Sequence, residues 1–229
     1  MTERFAIYYA PAAASPLWER AVAWLGSDPA TGAVHHGAVA GIERSRLAGI
    51  TRSAGRYGFH ATIKPPMALA PGQSLDGLRE ALARFAATRR PVHLGPLRLA
   101  SLGGFLALVP GPDNAALQDF AADVVESFEP FRAPLSPRDR AARLAHGLTA
   151  RQQELLDAYG YPYVFDEFRF HMTLTDRLEP DLREEVAAAA AAWFGPLLEE
   201  AVVLDRLVLY HEAESGRPFR RLEDYGLGA

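Results

Sequence analysis

The sequence predicts an α+β fold of two similar lobes, on three observations. A strand–helix–strand–strand order occurs twice along the chain, an irregular insertion rich in Pro and Arg separates the two occurrences, and each carries one copy of a short Phe-His-x-Thr-aliphatic motif.

The elements follow in order. Arg4 precedes Phe5-Ala6-Ile7-Tyr8-Tyr9-Ala10, a run suited to a pleated surface and closed by Pro11, so a first strand is expected there. Over 16–26, Leu17, Ala21, Trp24 and Leu25 recur at helical spacing, and Gly26 is placed as a C-cap. Residues 27–57 are rich in Gly, Ala and Arg and show no clear period. Residues 59–64 alternate like a strand that should stop at Pro65-Pro66. Ser74 is placed to cap a helix over 74–88, with Gly77 where a capping box would have Glu. Residues 92–100 and 105–109 read as strands joined through Gly103-Gly104. A helix over 114–128 gathers Leu117, Phe120, Ala121, Val124 and Phe128 on one face. The insertion, at about 133–162, holds Pro134, Pro137 and a short helical stretch at 149–159. A strand at 168–175, a helix at 180–194 opened by Pro180, a strand at 201–210 and a last strand at 219–225 complete the chain. Residues 1–229 are expected to form one bilobal unit, with 133–162 as an insertion and candidate lid.

Composition narrows the function. A chain of 229 residues with 49% apolar and 23% charged residues has enough material for a globular core. A net charge of −4 and a pI near 6.0 argue against broad nucleic-acid or anionic-membrane binding. The absence of cysteine excludes disulfides, thiolate nucleophiles and cysteine zinc sites. The first apolar run is short for an export signal and no stretch reaches the length of a membrane span, so a cytoplasmic protein is expected, and a monomer is taken as the default because the sequence carries no sign of oligomeric state.

The paired motif points to chemistry. Gly58-Phe59-His60-Ala61-Thr62-Ile63-Lys64 aligns with Arg169-Phe170-His171-Met172-Thr173-Leu174-Thr175. With seven histidines and eight threonines in 229 residues, chance supplies about 0.24 His-x-Thr triplets, and two occur. On a strand alternate side chains share a face, so His60, Thr62 and Lys64 are expected on one side and Phe59, Ala61 and Ile63 in the core. Likewise Arg169, His171, Thr173 and Thr175 should oppose Phe168, Phe170, Met172 and Leu174. Histidine moves protons near neutral pH, and a threonine hydroxyl donates to phosphoryl oxygen. Two such rows facing each other could supply a base for the attacking oxygen and an acid for the leaving one.

The duplicated His-x-Thr strand resembles the 2H phosphoesterase superfamily. That resemblance implies a bilobal fold with pseudo-two-fold symmetry, antiparallel sheets lining a central cleft and helices outside, and a phosphoester reaction that needs no metal and no cofactor. It makes His60 and His171 the catalytic pair and Thr62 and Thr173 the phosphate ligands. A closer likeness runs through most of the chain. Phe5 to Pro11, Ser15-Pro16-Leu17-Trp18, Trp24-Leu25-Gly26, Tyr57 to Pro66, Gly160 to Val164 and Phe168 to Thr175 resemble a bacterial 2H-like family linked to phosphonate-utilisation operons. The pathway context of that family implies a phosphorylated ribose species, a cyclic phosphate first, as substrate.

Other residues are weighed beside the pair. Lys64 and Arg169 are expected to neutralise phosphate, against the alternative of exposed strand charges. Tyr57 either bounds the cleft or packs in the core. Arg138, Arg140 and Arg143 form either an anion clamp or a solvated loop, and Arg52 and Arg56 approach the first motif on an expected loop. His35-His36 reads as a surface loop without metal-ligand spacing, and His93, His146 and His211 as structural or exposed. No Gly-x-x-x-x-Gly-Lys-Ser/Thr loop and no Gly-x-Ser-x-Gly elbow occurs. The leading expectation is a cyclic phosphodiesterase-like hydrolase acting on a small-molecule phosphate ester. RNA 2′,3′-cyclic end processing and a non-catalytic phosphate-binding module are the alternatives.

Overall fold

The computed structural model describes residues 3–112, 114–145 and 147–228; His146 lies outside them. Along the chain come β1 (Arg4–Tyr9), α1 (Pro16–Leu25), α2 (Arg44–Ile50), α3 (Arg52–Tyr57), β2 (Ala61–Met67), α4 (Leu75–Ala87), β3 (Val92–Pro96), β4 (Arg98–Leu102) and β5 (Phe105–Val109). The second half has α5 (Ala115–Ser127), α6 (Pro137–Leu144), α7 (Ala150–Tyr159), β6 (Met172–Thr173), α8 (Pro180–Leu198), β7 (Ala201–Leu204), β8 (Arg206–Glu212) and β9 (Arg220–Gly226).

The strands build a seven-stranded antiparallel sheet in the order β4-β5-β6-β2-β1-β8-β9, with β3 and β7 paired separately. The order reads the same from either side of the β6–β2 junction if β1 corresponds to β5, β2 to β6 and β8 to β4, with β9 as an addition. The helix α4 between β2 and β3 then matches α8 between β6 and β7. The duplicated element order is therefore a pseudo-two-fold fold, and its axis passes between the two motif strands. Each lobe takes its outer strand from the other repeat: β4, which ends the first, pairs with β5, which opens the second, and β8 pairs with β1.

Local signals explain most boundaries. Ser15 caps α1 and Gly26 ends it in the left-handed conformation at φ 93°. Ser74 and Asn114 accept from the backbone N–H three residues on, at the starts of α4 and α5. Gly103 and Gly104, at φ 55° and 97°, turn β4 into β5, which a residue with Cβ would do poorly. The apolar motif positions Phe59, Ala61, Ile63, Phe168, Phe170, Met172 and Leu174 are all buried, as the alternation predicted.

Four expectations are corrected. β2 runs through Pro65-Pro66 rather than stopping there. β6 offers only two residues, so β2 has no strand beside those prolines on that side, where a missing N–H costs little. The expected strand at 168–175 shrinks to Met172–Thr173, because a 3₁₀ turn at Phe165–Glu167 delays entry into the sheet. The unassigned 27–57 segment holds α2 and α3, too short for a readable period, and the insertion adds α6 to the helix expected at 149–159, which forms as α7. The runs 92–100 and 201–210 each break into two strands that serve different sheets.

Candidate functional site

The register of the central strands assembles the site. Ala61 pairs with Met172 across an antiparallel ladder, so His60 stands opposite Thr173 and Thr62 opposite His171. Directly opposed residues share a face, which puts two imidazoles and two hydroxyls together as a quartet, the rings on its diagonal. Diagonal neighbours lie about 7–8 Å apart at the backbone, within reach of a bridging phosphate. The motif strands lie side by side in one sheet instead of facing each other across a gap.

The two rings are held alike. His60 Nδ1 lies 2.8 Å from the Gly58 carbonyl, and His171 Nδ1 lies 2.8 Å from the Arg169 carbonyl. A carbonyl only accepts, so each Nδ1 carries the proton and each Nε2 is left as the working nitrogen. His60 Nε2 is 3.2 Å from the Thr62 hydroxyl. Below His60 lies Tyr8, opposite Thr62 in the ladder, with ring centroids 3.8 Å apart. Burial among these rings pushes the His60 pKa down to about 4, against the Gly58 carbonyl, which raises it, while His171 adds a further lowering. The His171 ring packs against Phe105 at 5.8 Å.

The His60 shift has a consequence for stability. The folded pKa lies below the ordinary 6.5, so the folded protein resists a proton that the unfolded chain accepts. The stabilisation is complete above pH 6.5 and drains as pH falls towards 4, by on the order of 2 kcal/mol once the ring's partial exposure is allowed for. Urea unfolding at pH 7 and pH 4.5 should show a smaller pH-dependent drop in His60→Gln than in the unmodified chain. Equal drops would contradict the assignment.

Gly58 is part of the device. Its φ of 76° and ψ of 176° fall where only glycine is at ease, and a Cβ would sit 2.7 Å from Pro29 Cγ. Gly58→Ala is expected to cost about 2 kcal/mol and to disturb the carbonyl that orients His60, read as a lower Tm in a thermal melt. An unchanged Tm would contradict this.

A cleft of about 390 Å³ opens over His60, Thr62 and Thr173. His60, Thr62 and Thr173 line it with Tyr57, Arg143, Tyr8, Arg4, Tyr161, Phe105 and Arg177. His171 is not itself a lining residue, but its neighbours Phe105 and Thr173 are. The second motif is pinned from behind: Trp24 Nε1 donates to the Leu174 carbonyl at 3.0 Å, and the buried Thr175 hydroxyl accepts from Leu106 N at 2.9 Å. Asp176, which follows directly, accepts from Ser53 N at 3.0 Å and Ala54 N at 3.2 Å and so fixes the start of α3.

Several expected phosphate contacts lie elsewhere. Tyr8 pairs with Thr62 but Ile7 with Lys64, and this bulge breaks the alternation and turns Lys64 to the opposite face. There the buried ammonium donates to the Val125 carbonyl and to Glu129, each at 2.9 Å. Arg169 is exposed and donates to the Asp166 and Phe168 carbonyls of its own loop, both at 2.7 Å. Arg140 forms a two-pronged pair with Asp157, and Arg138 is exposed, so Arg143 alone of that trio reaches the cleft. Arg56 lies on α3 rather than a loop, bonded to Glu212 at 2.6 Å and stacked 4.2 Å over Tyr57, while Arg52 is exposed. His35, His36 and His93 are exposed, and His211 bonds Glu3 at 2.6 Å. Among the described residues no three side chains gather as a metal site.

Arg4, Tyr8, Phe105, Tyr161 and Arg177 were not foreseen. The signal for Arg4 and Tyr8 was present, since they alternate on one face of β1, but only the pairing of β1 with β2 shows which face that is.

Comparison with known proteins places the chain. The profile of the family described as "Protein of unknown function (DUF1045)" matches residues 62–220. A Janthinobacterium sp. (strain Marseille) protein named "Ribose 1,5-bisphosphate phosphokinase PhnN" is 36% identical over 222 residues, covering 94% of this chain and 49% of the relative. A Laribacter hongkongensis (strain HLHK9) protein of the same name is 37% identical over 222 residues, covering 95% and 50%. The chain thus spans about half the length of the curated relatives it matches. Two solved structures align over 100% of both chains: one titled "Crystal structure of phosphoesterase", at 13% identity and TM-score 0.41, and one titled "Crystal structure of E.coli LigT complexed with 3'-AMP", at 12% and 0.42. No helix among the described residues is long and apolar enough to cross a membrane.

Proposed function

We propose that this chain, which belongs to the DUF1045 family, is a metal-independent phosphoesterase that opens a cyclic phosphate on a small phosphorylated sugar or nucleotide. One observation carries the reading: two imidazoles with the same carbonyl-locked tautomer share one sheet face with two threonine hydroxyls. In this reading His60, kept neutral by burial, takes a proton from water as the water oxygen attacks phosphorus. The bond from phosphorus to the ring oxygen breaks, and protonated His171 gives its Nε2 proton to that oxygen. The product is a phosphate monoester beside a free hydroxyl. His60 then loses its proton to solvent and His171 regains one. Thr62 and Thr173 donate to the non-bridging oxygens.

The kinase name belongs to relatives of which this chain spans about half. The chain contains a single lysine, the buried Lys64, set between Ile63 and Pro65, so it has no Gly-Lys-Ser/Thr loop to cradle a nucleotide triphosphate. What the name contributes is a ribose phosphate as the substrate class, in line with the phosphonate-linked family that the sequence resembles.

Purified protein in chelator, offered ribose cyclic phosphates and 2′,3′-cyclic nucleotides, should release monoester products. No turnover of any cyclic phosphate, or turnover only with added metal, would refute the reading. Thr62→Val and Thr173→Val should each raise KM about tenfold, the loss expected for one hydrogen bond to a charged oxygen. An unchanged KM would remove the threonines from the phosphate site.

A further inference from the structure

We propose that the part of the cleft bounded by Arg4 and Arg143 is a second anion subsite, so that the substrate carries a phosphomonoester besides the phosphate held by the histidine–threonine quartet. The proposal rests on the quartet being the reacting site. Its own support is a charge balance. Glu212 is fully buried and accepts from Arg4 Nε at 2.6 Å, from Arg56 Nη1 at 2.6 Å and from Gly216 N at 2.9 Å. One carboxylate facing two guanidiniums leaves a positive charge uncancelled. Arg143 lies 5.2 Å over the Tyr161 ring and forms no ion pair among the described residues. Among the described residues Asp176 is the one acid lining the cleft, and α3 already occupies its oxygens.

A chain of net charge −4 therefore places three arginines, Arg4, Arg143 and Arg177, along this cleft, and of these Arg4 shares its carboxylate partner Glu212 with Arg56. Tyr8 links the two ends: it lies against His60 on one side and within electrostatic range of Arg4 and Tyr161 on the other. Arginine forks suit phosphate oxygens, and a partly enclosed wall strengthens such bonds. Glu212 acts here as a positioning residue, holding Arg4 against the wall and, through Arg56, the ring of Tyr57.

Calorimetry on the full chain tests this with two probes, adenosine 2′,3′-cyclic phosphate with and without a 5′-phosphate. The 5′-phosphorylated probe should bind at least about tenfold tighter at low salt. Arg143→Gln and Arg4→Gln should each erase most of that preference while leaving affinity for the other probe within about twofold, a split that general damage to the fold would not give. Should Arg4→Gln fail to fold because Glu212 loses a partner, Arg143→Gln decides alone. No preference in the unmodified chain, no binding of either probe, or an unaltered preference in Arg143→Gln would overturn the proposal. A preference retained in a protein that turns over no cyclic phosphate would sink the hydrolytic reading and leave the subsite standing.

Discussion

His60→Ala and His171→Ala are each expected to cut turnover of a cyclic phosphate by about 10²- to 10⁴-fold, the usual worth of a positioned proton carrier. Phosphate binding should survive, because the threonine hydroxyls and the cleft arginines remain. Removing both rings should cost less than the product of the single losses, since acid and base serve one transition state. His60→Ala opens space above Tyr8, so folding is checked by the thermal melt before rates are compared. Steady-state assays on the three variants settle the matter. Single variants that keep full turnover would take the histidines out of the chemistry, and variants that lose binding along with turnover would point to a structural role.

The second large effect concerns Lys64. Burial lowers its pKa, and the Glu129 carboxylate beside it works in the opposite direction. Glu129 also takes Arg132, with Nε at 2.8 Å. Glu129→Ala would strand a buried ammonium and should cost about 3 kcal/mol. Lys64→Met should be close to neutral, because the thioether chain fills the same slot and Glu129 keeps Arg132. Urea unfolding reads both, and phosphate affinity should be unchanged in Lys64→Met. A weakened affinity there would restore Lys64 to the site.

Lys64 also marks where sequence reading stops. Strict alternation from His60 and Thr62 puts Lys64 on the polar face, and one bulge between β1 and β2 reverses it. A bulge depends on the partner strand, which a run of seven residues does not reveal. The quartet was legible for the opposite reason: the motif is duplicated, and its apolar positions fix which face is buried on both strands. The pseudo-two-fold order of the sheet was partly legible as a repeated element order. The exchange of outer strands was half legible: β4 and β5 meet in a hairpin whose Gly103-Gly104 turn the sequence shows, whereas β8 pairs with β1 from the far end of the chain. Arg143 could not be separated from Arg138 and Arg140 in the sequence. The three differ only in helix phase on α6 and in what they meet, Tyr161 for one and Asp157 for another.

The central claim is that both motif rings present Nε2 to one anion pocket. Nitrogen-15 NMR of labelled histidines during a titration with inorganic phosphate reads this directly. The account predicts that in the free protein both rings keep a proton on Nδ1, with His60 neutral, and that both Nε2 signals move with a common dissociation constant. A response from one ring alone, or an Nε2–H tautomer at either ring, would contradict it.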